Sequence, residues 1–71
     1  SDLIKSVMNT MFEMANKGIA INFLSIFSDY ISPGEFYCNP IDMIEVAFSL
    51  SRKVTLRHDY MPHDFTIYIY K

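Results

Sequence analysis

Two histidine–aspartate pairs, five residues apart, are the side chains of this 71-residue chain best suited to chemistry. The pairs are His58–Asp59 and His63–Asp64, and imidazole and carboxylate groups together can bind zinc, iron or manganese. The sequence predicts a β-hairpin from Lys53 onward, in which His58 lies on the inner face and His63 lies in the loop. The two rings therefore need not converge. We therefore expect a structural or solvent-exposed role for both pairs, with no metal and no other cofactor.

Cys38 is a second candidate, as a nucleophile with a histidine as its base. A reactive thiol needs a neighbouring cation or a helix N-terminus that lowers its pKa. Cys38 comes two residues before Pro40, near a predicted helix N-terminus, but no glycine-rich turn positions it. The sequence also lacks the P-loop, the Rossmann glycine pattern, HExxH and GxSxG. We expect a small buried thiol in a protein that is not an enzyme.

The composition indicates a single folded domain over residues 1–71. Because 51% of the residues are apolar, only 20% are charged and six Phe and five Tyr are present, the chain can form a dense core. No run of 18 apolar residues is present to span a bilayer, and the N-terminal residues do not resemble a signal peptide. A lone cysteine suits a reducing compartment. We expect a cytoplasmic protein of bacterial or phage type that does not associate with membranes.

The net charge of −2 is unevenly distributed. Residues 1–51 carry two lysines and six acidic residues, whereas residues 52–71 carry four cations and two acidic residues. The C-terminal third is therefore the part of the chain that favours an anionic partner.

The first half of the chain predicts two amphipathic helices, because apolar and polar side chains separate when placed at about 100° per residue. The first runs from about Asp2 to Asn16, and Gly18 ends it. The second runs from Ile19 to Ser32 and ends at Pro33–Gly34. Its Ile and Phe content is typical of a strand, but the helical spacing favours a helix in which Ile21 alone is out of place.

A third predicted helix begins at Asn39–Pro40. Asparagine is a favoured N-cap and proline is favoured at the first helical position. Apolar side chains cover most of this helix, and the narrow polar strip that remains includes Asp42 and Glu45.

From Lys53 onward the period changes to two, which predicts an antiparallel β-hairpin. Val54, Leu56, Ile67 and Ile69 form its inner face. We expect Tyr60 to pair with Phe65 and Leu56 with Ile69, since a register shifted by two residues would place Asp59 opposite Asp64.

The predicted class is thus α+β, with three amphipathic helices followed by a C-terminal hairpin that packs on them. This order of elements resembles that of a winged helix, although no sequence motif supports the resemblance. The third helix of a winged helix enters a DNA groove. Here Asp42 and Glu45 on that helix would repel the phosphates.

The outer face of the predicted hairpin is the best candidate for a binding surface. Tyrosine and arginine are enriched at binding hot spots because they bury a large area at a modest entropic cost. The residues that we expect to bind a partner are Lys53, Thr55, Arg57, Tyr68 and Tyr70. Our first hypothesis is a small non-catalytic interaction or regulatory module, similar to an inhibitor or adaptor, that binds a protein partner. The apolar half of the first helix and the unguarded edge of the strand from Phe65 to Tyr70 also suggest a homodimer.

The alternative hypothesis is a nucleic-acid binder that uses the hairpin as a basic wing. The residues involved would be Arg52, Lys53, Arg57 and His58. The net negative charge disfavours this alternative.

Overall fold

The computed structural model describes residues 2–59 and 63–71, and over these ranges two helices pack on a four-stranded mixed sheet. The elements in chain order are α1 (Asp2–Met14), β1 (Gly18–Ser25), β2 (Tyr37–Cys38), α2 (Pro40–Leu50), β3 (Lys53–Arg57) and β4 (Asp64–Tyr70). Within these ranges neither helix has the length and apolar character needed to cross a membrane.

The predicted α+β class is confirmed, but the predicted order of three helices and a hairpin is wrong. The segment from Ile19 to Ser32 does not form a helix, because β1 occupies Gly18–Ser25. Ile19, Ile21 and Phe23 alternate with more polar or smaller residues, and this alternation places all three on the face of the sheet that packs against the helices. Ile21, which did not fit the helical pattern, fits the strand. The order of elements therefore does not match that of a winged helix.

β4 lies inside the sheet, whose strand order is β2-β1-β4-β3. It pairs antiparallel with β1 on one side and with β3 on the other. Phe65, Ile67 and Ile69 of β4 point toward the helices and have no exposed surface. The prediction that this strand offers a free edge is wrong, because β1 covers that edge.

The hairpin of β3 and β4 forms as predicted, but the predicted register is wrong. The observed register is shifted from it by two residues. Leu56 lies opposite Ile67 and not opposite Ile69. The predicted partner of Phe65, Tyr60, is outside the described residues. Asp59 follows the end of β3, where two nitrogens of Arg57 donate to its carboxylate at 3.2 Å. The expected repulsion between Asp59 and Asp64 therefore does not decide the register.

Both helices pack on the same face of the sheet. α1 lies on β1, and α2 lies on β4 and β3. The buried side chains that the helices contribute include Met8, Met43 and Ala47. The predicted start of α2 is confirmed, since the Asn39 side-chain oxygen accepts the Ile41 N–H at 2.9 Å.

Replacing Gly18 with alanine should destabilise the protein. A Cβ atom at Gly18 would collide with the Ile69 carbonyl oxygen and would lie 3.0 Å from Tyr70 Cα. Because both contacts are with backbone atoms of β4, we expect Gly18→Ala to lower the free energy of unfolding by about 1–3 kcal/mol in chemical denaturation. Ala20→Ser, an exposed change in the same strand, serves as the control. Equal stability of the Gly18→Ala variant and the parent would contradict the close approach of β1 and β4.

Candidate functional site

The side of the sheet that faces away from both helices is the candidate site, and we call it the outer face. Because side chains alternate along each strand, every second residue of β1, β3 and β4 contributes to this face. Its residues are Ala20, Asn22, Leu24, Lys53, Thr55, Arg57, Asp64, Thr66, Tyr68 and Tyr70.

Two stacked tyrosines occupy the middle strand of the outer face. The rings of Tyr68 and Tyr70 are 6.4 Å apart between centroids, and their planes differ by 6°. Tyr68 lies opposite Thr55 on one neighbouring strand and opposite Ala20 on the other. Tyr70 is 45% exposed and lies opposite Lys53. Since the small side chains of Thr55 and Ala20 flank Tyr68, the ring pair stands beside open surface that a partner can reach.

A row of hydrogen-bonded polar side chains lies beside the tyrosines. The Thr66 hydroxyl donates to Asn22 Oδ1 at 2.9 Å, and Asn22 Nδ2 donates to Asp64 Oδ2 at 3.2 Å. The hydrogen bonds from Arg57 hold the pKa of the Asp59 carboxyl below its usual value. Because these groups bind one another, the polar part of the outer face is fixed before any partner arrives.

Three lysines gather where the sheet ends at Tyr70. The Lys71 N–H donates to the Lys17 carbonyl at 2.8 Å, and Lys53 Nζ donates to the Lys71 carbonyl at 3.2 Å. Lys71 Nζ also lies 4.6 Å from the centre of the Phe12 ring, which favours a cation–π contact. Of the three ammonium groups, that of Lys53 belongs to the outer face, opposite Tyr70, whereas that of Lys71 lies on the helix side of the sheet.

The structure places all five residues predicted to bind a partner on the outer face. They are Lys53, Thr55, Arg57, Tyr68 and Tyr70. Sequence analysis missed the contribution of β1, namely Ala20, Asn22 and Leu24, because it interpreted that segment as a helix. The signal that could have revealed them is the alternation of Ile19, Ile21 and Phe23.

The residues predicted to bind nucleic acid do not form one surface. Lys53 and Arg57 lie on the outer face, and Arg52 is exposed just before β3. His58 points to the opposite side, where its ring stacks on Phe65 with centroids 5.9 Å apart. The reason is again the alternation of side chains, since His58 is one residue out of phase with Arg57.

A second cluster, around His58, brings a hydroxyl and an imidazole together. His58 Nε2 is 2.6 Å from Ser25 Oγ, which also accepts the Phe27 N–H at 3.1 Å. A serine–histidine pair can perform nucleophilic catalysis when a substrate reaches the hydroxyl. Ser25 has no exposed surface, so here the pair joins the ends of β1 and β3.

The two histidine–aspartate pairs are divided between different surroundings. Asp59 is bound by Arg57, and Asp64 is bound by Asn22. In the part of the chain that the structure describes, no three His, Cys, Asp or Glu side chains are placed to hold a metal ion.

Cys38 is buried in β2, and burial raises the pKa of its thiol. This is the environment of an unreactive thiol, since a nucleophilic cysteine needs a lowered pKa. The predicted buried position is confirmed.

Replacing Ser25 with alanine should destabilise the protein without altering its surface. The change would leave the Phe27 N–H and the His58 ring without their hydrogen-bond partner, which costs about 1–3 kcal/mol. Ser49→Ala, on the exposed side of α2, is the control, because its hydroxyl donates to the nearby Val46 carbonyl of the same helix. Chemical denaturation of the two variants measures the difference, and equal stability would show that the Ser25 hydroxyl does not join β1 and β3.

Comparison of the chain with protein-family models, with curated proteins and with solved structures gives no match.

Proposed function

We propose that this protein is a non-catalytic interaction module that binds a protein partner through its outer face, with Tyr68 and Tyr70 at the centre of the contact. The observation that supports this proposal is the stacked tyrosine pair on a sheet face that neither α1 nor α2 covers. A tyrosine ring supplies a large contact area with few rotatable bonds, and its hydroxyl can still bond to a polar partner.

The surroundings of the ring pair define the partner. A strand-built face is broad, so it suits a flat protein surface better than a narrow peptide. Arg57 and the Thr66–Asn22 pair supply oriented polar groups at one end, and Lys53 supplies positive charge at the other. The partner should therefore present an apolar or aromatic centre and a carboxylate placed to meet Lys53.

Nucleic acid is the competing ligand for the same surface. Tyrosine rings can stack on bases, and lysines can neutralise phosphates. Asp59 and Asp64, however, lie at the far end of this surface, and the whole chain carries a net charge of −2. These charges favour a protein over a nucleic acid.

A compact module of this kind would act as an inhibitor or adaptor by occupying the surface of a larger assembly. A lone thiol suits the reducing environment of the cytoplasm, where we place this activity.

Replacing both tyrosines with serine should abolish partner capture while leaving the fold intact. Because each hot-spot tyrosine contributes about 2 kcal/mol, we expect Tyr68→Ser with Tyr70→Ser to reduce the amount of captured protein by at least about tenfold. The measurement is affinity capture from a lysate of the native cell, with and without nuclease, quantified by mass spectrometry. Tyr30→Ser, at an exposed tyrosine between β1 and β2, is the matched control and should change nothing.

Three outcomes would contradict the proposal. The captured proteins could be retained equally by the double variant, which would remove the outer face from the interaction. They could disappear after nuclease treatment, which would assign the surface to nucleic acid. The double variant could also unfold, and circular dichroism of the purified variant would then show that the two tyrosines serve stability.

A further inference from the structure

The strand β1 has one paired edge and one largely open edge. The Ser25 N–H donates to the His63 carbonyl and the Lys71 N–H donates to the Lys17 carbonyl, both at 2.8 Å, so odd-numbered residues of β1 bond to β4. Even-numbered residues consequently direct their backbone groups away from β4. On that side β2 pairs only with Leu24 and Ser25. Among the described residues, no strand lies beside the outward groups of Gly18 and Ala20.

Four exposed apolar side chains of α1 form a flank that lies over the open edge. They are Leu3, Val7, Met11 and Met14, with exposed fractions of 74%, 48%, 40% and 81%. Lys5 and Asn9 of α1 line the cleft toward Ser49 and Leu50 of α2. At about 100° per residue the four apolar side chains lie on the other side of α1, away from α2. Since α1 packs on β1 and α2 packs on β4 and β3, we infer that this side of α1 faces the open edge of β1.

The open edge lacks the features that normally protect a strand edge. Residues 18–24 contain no charged residue and no proline, which are the usual protection against pairing with another chain. Ile19, Ile21 and Phe23 beneath the α1 flank are only partly buried. The opposite edge of the sheet, β3, carries Lys53 and Arg57. The β3 edge thus carries charged side chains that oppose pairing with another strand, whereas the β1 edge lacks them and is suited to a contact.

We propose that the β1 edge and the α1 flank form the contact surface for a second copy of this chain. The two copies would join by antiparallel pairing of β1 with β1 about a two-fold axis perpendicular to the sheet, with Ala20 facing Ala20. In such a two-fold contact each residue faces the same residue, or a close neighbour of it, in the other copy. A charged residue on this surface would therefore face a like charge and be repelled by it. Neither the edge nor the flank carries a charge, and this makes the surface complementary to itself.

A dimer interface of ordinary size would cover only a moderate share of the surface of this chain. A standard interface takes about 800 Å² from each partner, which is about one sixth of the 4861 Å² accessible surface of this chain. The four side chains of the α1 flank are exposed side by side on one side of the helix, and contiguous exposed apolar surface is typical of interaction sites. Pairing along β1 adds the strand backbone and the partly buried side chains beneath it.

The dimer leaves both outer faces free and directs them to the same side. This follows because a two-fold axis perpendicular to the sheet keeps the helix layers of both copies on one side. The β1 contact is therefore independent of the surface assigned to a protein partner.

The experiment is sedimentation velocity of the purified protein over a dilution series. We expect the average mass of the sedimenting parent protein to rise with concentration, from the 8.3 kDa of the monomer toward twice that mass. Val7→Lys should remain monomeric at concentrations at which the parent is dimeric, because it places two lysines against each other across the axis. Ser6→Lys adds the same charge on the neighbouring exposed position of α1, outside the flank, and should dimerise like the parent.

Hydrogen exchange tests the backbone pairing without any variant. The Ala20 amide points away from β4, so it should exchange rapidly at concentrations that favour the monomer and slowly at those that favour the dimer. The Ile21 amide, which bonds to β4, should be protected at both concentrations. A parent that stays monomeric up to its solubility limit, or an Ala20 amide whose exchange rate does not depend on concentration, would overturn the proposal.

The tyrosine variants separate this proposal from the proposed function. Tyr68→Ser with Tyr70→Ser should dimerise like the parent, because both side chains lie on the outer face. Loss of the dimer in this variant would place the contact on the outer face and overturn the β1 interface.

Discussion

The pairing of β1 with β4 is the constraint on which the rest of the structure depends. It joins Ile21 to Ile67 and Phe23 to Phe65 across more than half of the sequence. By placing β4 inside the sheet, it removes Phe65, Ile67 and Ile69 completely from solvent. An isolated hairpin of β3 and β4 would be marginally stable in water. With β1 added, the sheet offers both helices a continuous apolar surface and leaves a continuous polar and aromatic surface behind.

The features that could be predicted from the sequence are those set by near neighbours. Asn39 and Pro40 define the start of α2 because a cap acts on the N–H groups directly after it. The alternation along residues 53–57 and 64–70 likewise defines two strands and assigns Tyr68 and Tyr70 to one face. For the same reason the residues proposed for partner binding fall together on that face.

The features that could not be predicted depend on distant residues. Residues 19–25 satisfy a helical pattern almost as well as a strand pattern, and β4, about 45 residues away, decides between them. Ile21 was the residue that distinguished the two patterns. The prediction of the hairpin register was wrong for a related reason. Repulsion between Asp59 and Asp64 was expected to matter, but Arg57 neutralises Asp59 just beyond the end of the ladder. The role of β1 in both proposed surfaces depends on its position in the sheet, which its own residues do not determine.

The position of β4 has a consequence for biosynthesis. The ribosome synthesises β1, α2 and β3 before β4. The apolar residues of β1 therefore lack their β4 partners while more than thirty further residues are added. Contacts so distant in sequence form slowly, and exposed apolar strands are prone to aggregate in the meantime. Until β4 is synthesised, β1 is therefore the segment of the nascent chain that we expect to be most prone to aggregate and most suited to chaperone binding.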